Sequence, residues 1–422
     1  MTSGSLSSRY REAFTGAFGG PGTSGDVLPA GSSQRRFAIA AESSGRRMLV
    51  PYAFSLRAGV LAPDELRARL AALVLRHPAL RCAVEFEDDG LVAQRAVPGF
   101  APPCEVLETA TPQDEIAAVR GALTEAALDG ERCPLRAALL RGPEADRLLL
   151  VFDHAVIDET SLRVVSRDLF TAGPATPGTS WVDYASSAWR WLEWEVAAAT
   201  EEAVAYWTRR LVPVVTSTVD EPAPVTTAGT VVDAEPVPVA SPRVRATVFP
   251  RLLAATHRAL RATGPSTVIF PWGARPAGLA DVAGCFMNTV YSGVRCPAES
   301  AVAGWRSFAA GVWEDLEHAH VPFDDVVVAV NRDTRTGWTG TARCLLGFED
   351  LTTVERLGPP GWDVREWLPP WLAPKCQVNT TVRFDGRRLG LRVVADPAHL
   401  PPDAIAAFAS EWREQVAAHL SF

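Results

Sequence analysis

The passage from residue 148 to residue 161 constrains this chain more than any other. Leu148-Leu149-Leu150-Val151-Phe152 is an unbroken apolar run that leads straight into Asp153, His154 and Asp158. A run without polar alternation predicts a strand buried on both faces. Leu162, Val165, Leu169 and Phe170 follow at helical spacing, so a helix is predicted directly after the turn. The strand thereby delivers a histidine into an interior, with a carboxylate four positions later. A histidine held there serves as a general base near neutral pH. The same spacing also describes a core histidine satisfied by local hydrogen bonds, and on position alone both readings stand.

Composition sets the class. At 422 residues the chain is long enough for two domains, each with a substantial core. The net charge of -8 argues against a nucleic-acid footprint, and no basic block marks a membrane surface. No apolar run approaches the roughly 20 residues needed to span a bilayer, and the N-terminus lacks the pattern of a signal peptide. Seven scattered cysteines without a CxxC pair fit a reducing cytoplasm better than a disulfide framework or a zinc site. A cytoplasmic enzyme with no metal is expected.

Strand and helix signals mix along the whole chain, which gives an α/β class. Residues 1–30, rich in Gly and Ser, are read as a mobile N-terminal segment. A first lobe is expected over 31–180 and a helix and linker over 181–245. A second lobe is expected over 246–422. Pro63-Asp64-Glu65 opens a helix with Leu66, Leu70, Leu73 and Val74 on one face, and Pro78 closes it. Residues 181–211 read as one long helical stretch. Residues 377–394 read as a hairpin around Asp385-Gly386. Pro402-Asp403 starts a last helix bearing Ile405, Phe408, Trp412, Val416 and Leu420. His77 is expected at a helix C-terminus, and His318 and His320 are read as ordinary helix-end histidines.

Several short segments, in order, resemble the condensation-domain family of nonribosomal peptide synthesis. That family lies within the superfamily of chloramphenicol-acetyltransferase-like acyltransferases. Its signature is HHxxxDG, often followed by xS, and here the segment is DHAVIDETS. Ser33-Gln34-Arg35-Arg36-Phe37 resembles the SxxQxR opening, and Arg76-His77-Pro78-Ala79-Leu80-Arg81 the RHxxLR motif. Asp183-Tyr184-Ala185 and Tyr206-Trp207 resemble the DYA and YW segments. Gly273-Ala274-Arg275 with Gly284-Cys285-Phe286-Met287-Asn288-Thr289 resembles the GR…GxFxNT stretch. Val321-Pro322-Phe323 and Arg332-Asp333 resemble the later VPF and RD motifs. Trp362, Trp367 and Trp371, set among prolines, resemble the crossover that the family passes from one lobe to the other; an aromatic substrate cover is the other reading.

The resemblance implies two chloramphenicol-acetyltransferase-like lobes in a V-shaped pseudo-dimer with a central substrate tunnel. It implies His154 as the catalytic residue that positions or deprotonates the acceptor. It implies an Asp158–Arg275 ion pair under the active-site turn, with Arg81 as a second candidate partner or a support of the turn, and Asn288 satisfying buried backbone groups. Glu159 and Ser161 are placed beside the donor passage. No intrinsic cofactor is expected. A 4'-phosphopantetheine thioester is delivered by acyl or peptidyl carrier proteins acting in trans. The other substrate is a small-molecule or carrier-bound acceptor.

Two positions depart from the family. Asp153 stands where the first His is expected, and with Asp158 and Ser161 it also satisfies DxxxxDxxS, the signature of the heterocyclisation subfamily. Glu159 stands where the Gly gives the donor arm a bare backbone to pass. A related recruitment subfamily reads HRxxxDD and docks an oxidase without catalysis, but it loses the histidine that this chain keeps. The expectation is a free-standing condensation enzyme forming an amide or ester bond. A docking module and a heterocyclisation enzyme are the alternatives.

Overall fold

The computed structural model describes residues 4–420, apart from 24, 129–132, 172–177, 216–228, 240–247, 262–266, 295–301, 336–337, 339–341 and 370–373. The chain divides into two units, each discontinuous in sequence: 1–198 with 273–287 and 355–370, and 199–272 with 288–354 and 371–422.

The first unit contains α1 (Leu6–Phe18), β1 (Val27–Pro29), α2 (Ser32–Ser44), β2 (Leu49–Arg57), α3 (Pro63–Arg76), β3 (Cys82–Phe86), β4 (Val92–Ala96) and β5 (Cys104–Glu108). It continues with α4 (Pro112–Leu128), β6 (Leu135–Arg141), β7 (Ala145–Asp153), α5 (Glu159–Phe170) and α6 (Trp181–Ala198). The second unit has α7 (Glu201–Val215), β8 (Thr230–Pro238), α8 (Val248–Arg261), β9 (Val268–Trp272), β10 (Asn288–Tyr291), α9 (Val302–Glu317), α10 (Phe323–Thr334) and β11 (Cys344–Asp350). The chain then returns to the first unit for β12 (Arg365–Glu366) before β13 (Val378–Phe384), β14 (Arg388–Ala395) and α11 (Pro402–Leu420) complete the second.

The main sheet of the first unit has the order β12-β2-β7-β6-β5, and a small sheet has the order β1-β4-β3. β7 is central, antiparallel to β2 with Leu49 opposite Asp153, and to β6 with Leu135 opposite Phe152. Leu148, Leu149, Leu150 and Phe152 are fully buried, which is why the strand reads as a continuous apolar run. α3 lays Leu66, Leu70, Leu73 and Val74 into the same core. The sheet of the second unit has the order β10-β9-β11-β13-β14-β8. β13 and β14 form the expected hairpin, and Gly386 at its turn takes φ +94°, a conformation that glycine adopts without strain. α11 buries Ile405, Phe408, Trp412 and Val416.

Three sequence expectations change. The N-terminal segment is not featureless: α1 starts on the Ser5 hydroxyl cap, and Tyr10 and Phe14 pack with Trp189 and Leu192. The long helical stretch from 181 splits into α6 and α7, because the Thr200 hydroxyl caps a new helix start at the Ala203 amide, 3.2 Å away. The linker region contributes an ordered strand, β8, which pairs with β14 at the end of its sheet; residues 216–228 and 240–247 lie outside the described ones. β12 is the returning segment of the Trp-rich stretch and pairs with β2. Trp362 faces the Arg69 guanidinium at 5.0 Å and Trp367 that of Arg147 at 5.2 Å; Trp371 lies outside the described residues. No helix among the described residues is long and apolar enough to cross a membrane.

Candidate active site

The end of β7 builds the site. The Asp153 carboxylate accepts the Ala155 amide at 2.9 Å, and residues His154–Val156 form one 3₁₀ turn. The His154 amide donates to the Met48 carbonyl at 2.9 Å, so the neighbouring strand fixes the backbone at the histidine. Nδ1 of His154 lies 3.1 Å from the Ile157 carbonyl oxygen. A carbonyl only accepts, so this contact assigns the hydrogen to Nδ1 and the lone pair of the neutral ring to Nε2. The ring stacks on Phe37 at a centroid distance of 4.4 Å and is 8% exposed. A buried imidazole with its tautomer and plane fixed is equipped to take a proton at Nε2.

α2 holds this turn from the other side. Gln34 Nε2 donates to the Ala155 carbonyl at 2.8 Å, while its Oε1 accepts the Gly31 amide at 2.9 Å. The Ser33 hydroxyl donates to the Met287 carbonyl at 2.8 Å. Both oxygens of buried Glu195, on α6, accept the Ser32 amide at 2.9 and 3.0 Å and so cap α2. Gly31 is required at this point: a Cβ there would lie 2.7 Å from the indole nitrogen of Trp191.

Asp158 is the N-cap of α5. Its carboxylate accepts the Ser161 amide at 2.9 Å and the Phe286 amide at 2.8 Å, and it pairs with Arg275. Arg275 also donates to the carbonyls of Leu279 and Val282 at 2.8 and 2.6 Å, and both side chains of the pair are 3% exposed. Ser161, expected beside the donor passage, belongs to this buried network instead. It is 0% exposed, accepts from Arg275 at 2.7 Å and from the Gly284 amide at 2.9 Å, and its hydroxyl lies 2.7 Å from the Gly284 carbonyl. Arg81 does not join Asp158: its guanidinium sits over the Trp181 ring at 5.9 Å. Asn288, in the second unit, donates to the carbonyls of Ala319 and Val321 and accepts the Phe323 amide.

Asp153 has its own counter-charge, Arg47, at 3.5 Å. The pair borders a cavity of about 210 Å³ whose wall includes Phe37, Met48 and Ala155. Glu159 is the first residue of α5, more than half exposed, with its carboxylate 3.8 Å from Arg163 one turn on. Its backbone φ is not positive, so a side chain is carried there without strain, and a carboxylate at a helix N-terminus is electrostatically favoured. The chain pattern pointed to Gln34 only as part of a motif. Phe37 was quoted only within that same motif, and Arg47 and Glu195 carried no sequence signal, because their roles depend on which elements fold beside them. His77 caps α3 and lies 3.0 Å from Asp168. His318 stacks on Tyr206, and His320 lies 3.3 Å from the indole nitrogen of Trp272. Among the described residues no group of three His, Cys, Asp or Glu side chains is placed to hold a metal.

Residues 25–220 match the family model for the condensation domain. This stretch, just under half of the chain, is thus similar to a condensation domain. Solved structures agree in fold. The starter condensation domain of rhizomide synthetase, solved in complex with C8-CoA, superposes with a TM-score of 0.72 at 17% identity, covering 93% of this chain and 95% of that one. The X-domain from teicoplanin biosynthesis gives 0.69 at 17% identity, covering 93% and 95%. The first condensation domain of the calcium-dependent antibiotic synthetase, in complex with a substrate analogue, gives 0.69 at 17% identity, covering 93% and 96%. No curated protein matches the chain in sequence. The mixed α/β architecture expected from sequence is thus that of the condensation domains.

Proposed function

We propose that the protein is a condensation enzyme that joins a carrier-protein-bound acyl or aminoacyl thioester to an amine or alcohol acceptor. The observation that carries this reading is the fixed ring of His154, with Nδ1 committed to Ile157 and the plane held by Phe37. Nε2 takes the proton as the acceptor nitrogen or oxygen attacks the thioester carbonyl. The new C–N or C–O bond forms, the C–S bond breaks, and the proton returns to the leaving thiolate of the phosphopantetheine arm. The thioester is already activated, so orientation of two substrates and one base suffices. The arm is part of the substrate, delivered by a partner carrier protein. Asp158, Ser161 and Arg275 keep the turn rigid and touch no reacting atom in this scheme.

Candidate carrier proteins loaded with acyl groups, incubated with acceptor and followed by intact-mass spectrometry, test the reading. His154→Ala is expected to lower turnover by about 10²–10⁴-fold, as for loss of a general base, with circular dichroism unchanged. A folded His154→Ala protein with full turnover refutes the role of the histidine. Absence of turnover in the parent protein with every loaded carrier, together with capture of a partner, supports recruitment instead. A product lighter by one water supports heterocyclisation, in line with the DxxxxDxxS spacing of Asp153, Asp158 and Ser161.

A further inference from the structure

The charge at the first motif position has a partner in the structure. Asp153 ends β7 with its side chain 11% exposed, and the Arg47 side chain, 10% exposed, stands 3.5 Å away. Burial disfavours a lone carboxylate, and an opposite charge beside it offsets that penalty. We infer that Arg47 is a positioning residue for His154, acting through Asp153. The inference rests on the condensation reading above for its effect on turnover, and on the geometry of the turn for its effect on the imidazole.

The backbone brings the two residues together. Leu49, the first residue of β2, lies opposite Asp153. Arg47 and Met48 therefore run past the turn that carries the histidine. The Met48 carbonyl accepts the His154 amide at 2.9 Å, and the Asp153 amide donates to the Pro134 carbonyl at 3.1 Å. Arg47 is anchored on both its main chain and its side chain. Its amide donates to the Ala127 carbonyl at the end of α4 at 3.1 Å, and its Nη1 donates to the Cys133 carbonyl at 3.0 Å. The guanidinium thus meets Asp153 from a fixed position.

The Asp153 carboxylate passes this restraint to the ring. Oδ1 accepts the Ala155 amide at 2.9 Å while Oδ2 faces Arg47. Ala155 is the middle residue of the 3₁₀ turn His154–Val156, and Gln34 holds its carbonyl at 2.8 Å. The residue is clamped at both ends. The turn in its place sets the Ile157 carbonyl, which lies 3.1 Å from Nδ1 of His154. Without Arg47 the carboxylate is drawn to water in the cavity that it borders and gives up the Ala155 amide. One clamp is then lost, and the carbonyl facing Nδ1 is no longer fixed. A catalytic group depends on such supporting contacts for its orientation. A histidine at position 153 carries little charge at neutral pH and needs no cation beside it, so Asp153 and Arg47 act as one unit.

Nitrogen-15 NMR of the full chain labelled at histidine tests the inference without reference to turnover. Spectra are recorded at about pH 8, above the ordinary histidine range, and the His154 signals are assigned by their loss in His154→Ala. The parent is expected to show one tautomer, with the hydrogen on Nδ1. Arg47→Met should give averaged or doubled His154 signals, and Arg47→Lys, which keeps the charge but loses the fork, should restore part of the order. In the double variant Arg47→Met with Asp153→Asn, the amide oxygen still accepts from Ala155 and no charge is stranded. Its ring should be better ordered than in Arg47→Met alone. With loaded carrier and acceptor, kcat of Arg47→Met should fall by about tenfold through lost orientation while the acceptor KM changes less than twofold. The inference is overturned if a folded Arg47→Met protein keeps the parent's His154 signals, or if the ring loosens and kcat is unchanged. Should Arg47→Met fail to fold, Arg47→Lys and Asp153→Asn carry the same comparison, and parent-like signals in both overturn it. A parent without turnover whose ring loosens in Arg47→Met refutes the condensation reading and leaves Arg47 as the residue that positions the imidazole.

Discussion

Removing Arg275 is the most informative single perturbation of the turn beneath His154. Arg275→Met keeps most of the apolar stem and deletes the charge. Asp158 then stays 3% exposed without its counter-ion, although the amides of Ser161 and Phe286 still donate to it. Breaking a buried ion pair from one side costs about 3–5 kcal/mol. The two remaining amide donors place this variant at the lower end, about 3 kcal/mol. Asp158→Ala removes more. It leaves Arg275 with the Leu279 and Val282 carbonyls and the Ser161 hydroxyl, and it also deletes the N-cap of α5, a further loss of about 1 kcal/mol. In the double variant no charge is stranded, so its loss should fall short of the sum of the single losses by at least about 1 kcal/mol. Urea unfolding of the four proteins, followed by tryptophan fluorescence, measures the cycle. A melting decrease of about 2–4 °C per kcal/mol is expected in parallel for a unit of this size. Additive losses within about 0.5 kcal/mol would refute the coupling and with it the account of this turn.

Further outcomes follow from the same geometry. Phe37→Ala removes the surface on which His154 stacks; turnover should fall by about tenfold or more through lost orientation while the acceptor KM changes little, and an unchanged turnover number counts against the stacking role. Glu159→Gln should shift the melting temperature only slightly, since the group is exposed and its helix-end interaction is worth about 0.3–1 kcal/mol. Loss of turnover in that variant would instead make the carboxylate a proton-transfer group, and a wider donor range in Glu159→Gly would make it a steric limit on the donor arm. His257, buried in the second unit beside Ser292 at 3.0 Å, has its pKa pushed down from 6.5 to about 4 by burial. The unfolded chain therefore binds a proton first as pH falls, so stability is fully present above about pH 6.5 and is lost between about 6.5 and 4. His257→Gln should flatten the stability curve in that window, and a curve of unchanged slope contradicts the assignment.

Much of the site was legible because it is local. Asp153, His154, Asp158 and Ser161 lie within nine residues, and an apolar strand ending in a helix start dictates their backbone. The Asp158–Arg275 contact spans 117 positions and was reached only through the resemblance of the GR stretch. Ser161 was placed beside the donor passage through the resemblance alone. Here the Gly284 backbone and Arg275 close over it. The alternative pairing of Arg81 with Asp158 does not form, since nothing local shows that Trp181 arrives beside its guanidinium.

The sequence by itself determined the periodicities: the buried β7, the faces of α3 and α11, the β13–β14 hairpin and the histidine at a strand end. These depend on interactions between residues a few positions apart, and such interactions are written in the order of the side chains. Only the tertiary structure decided that α1 is packed, that residues 273–287 and 355–370 belong with the first unit, and that Gln34, Phe37, Arg47 and Glu195 surround the motif. Those outcomes depend on the packing of elements far apart in the chain, up to the pairing of Arg365 with Ser55, where burial strengthens every polar contact and chain order says nothing about who the neighbour will be.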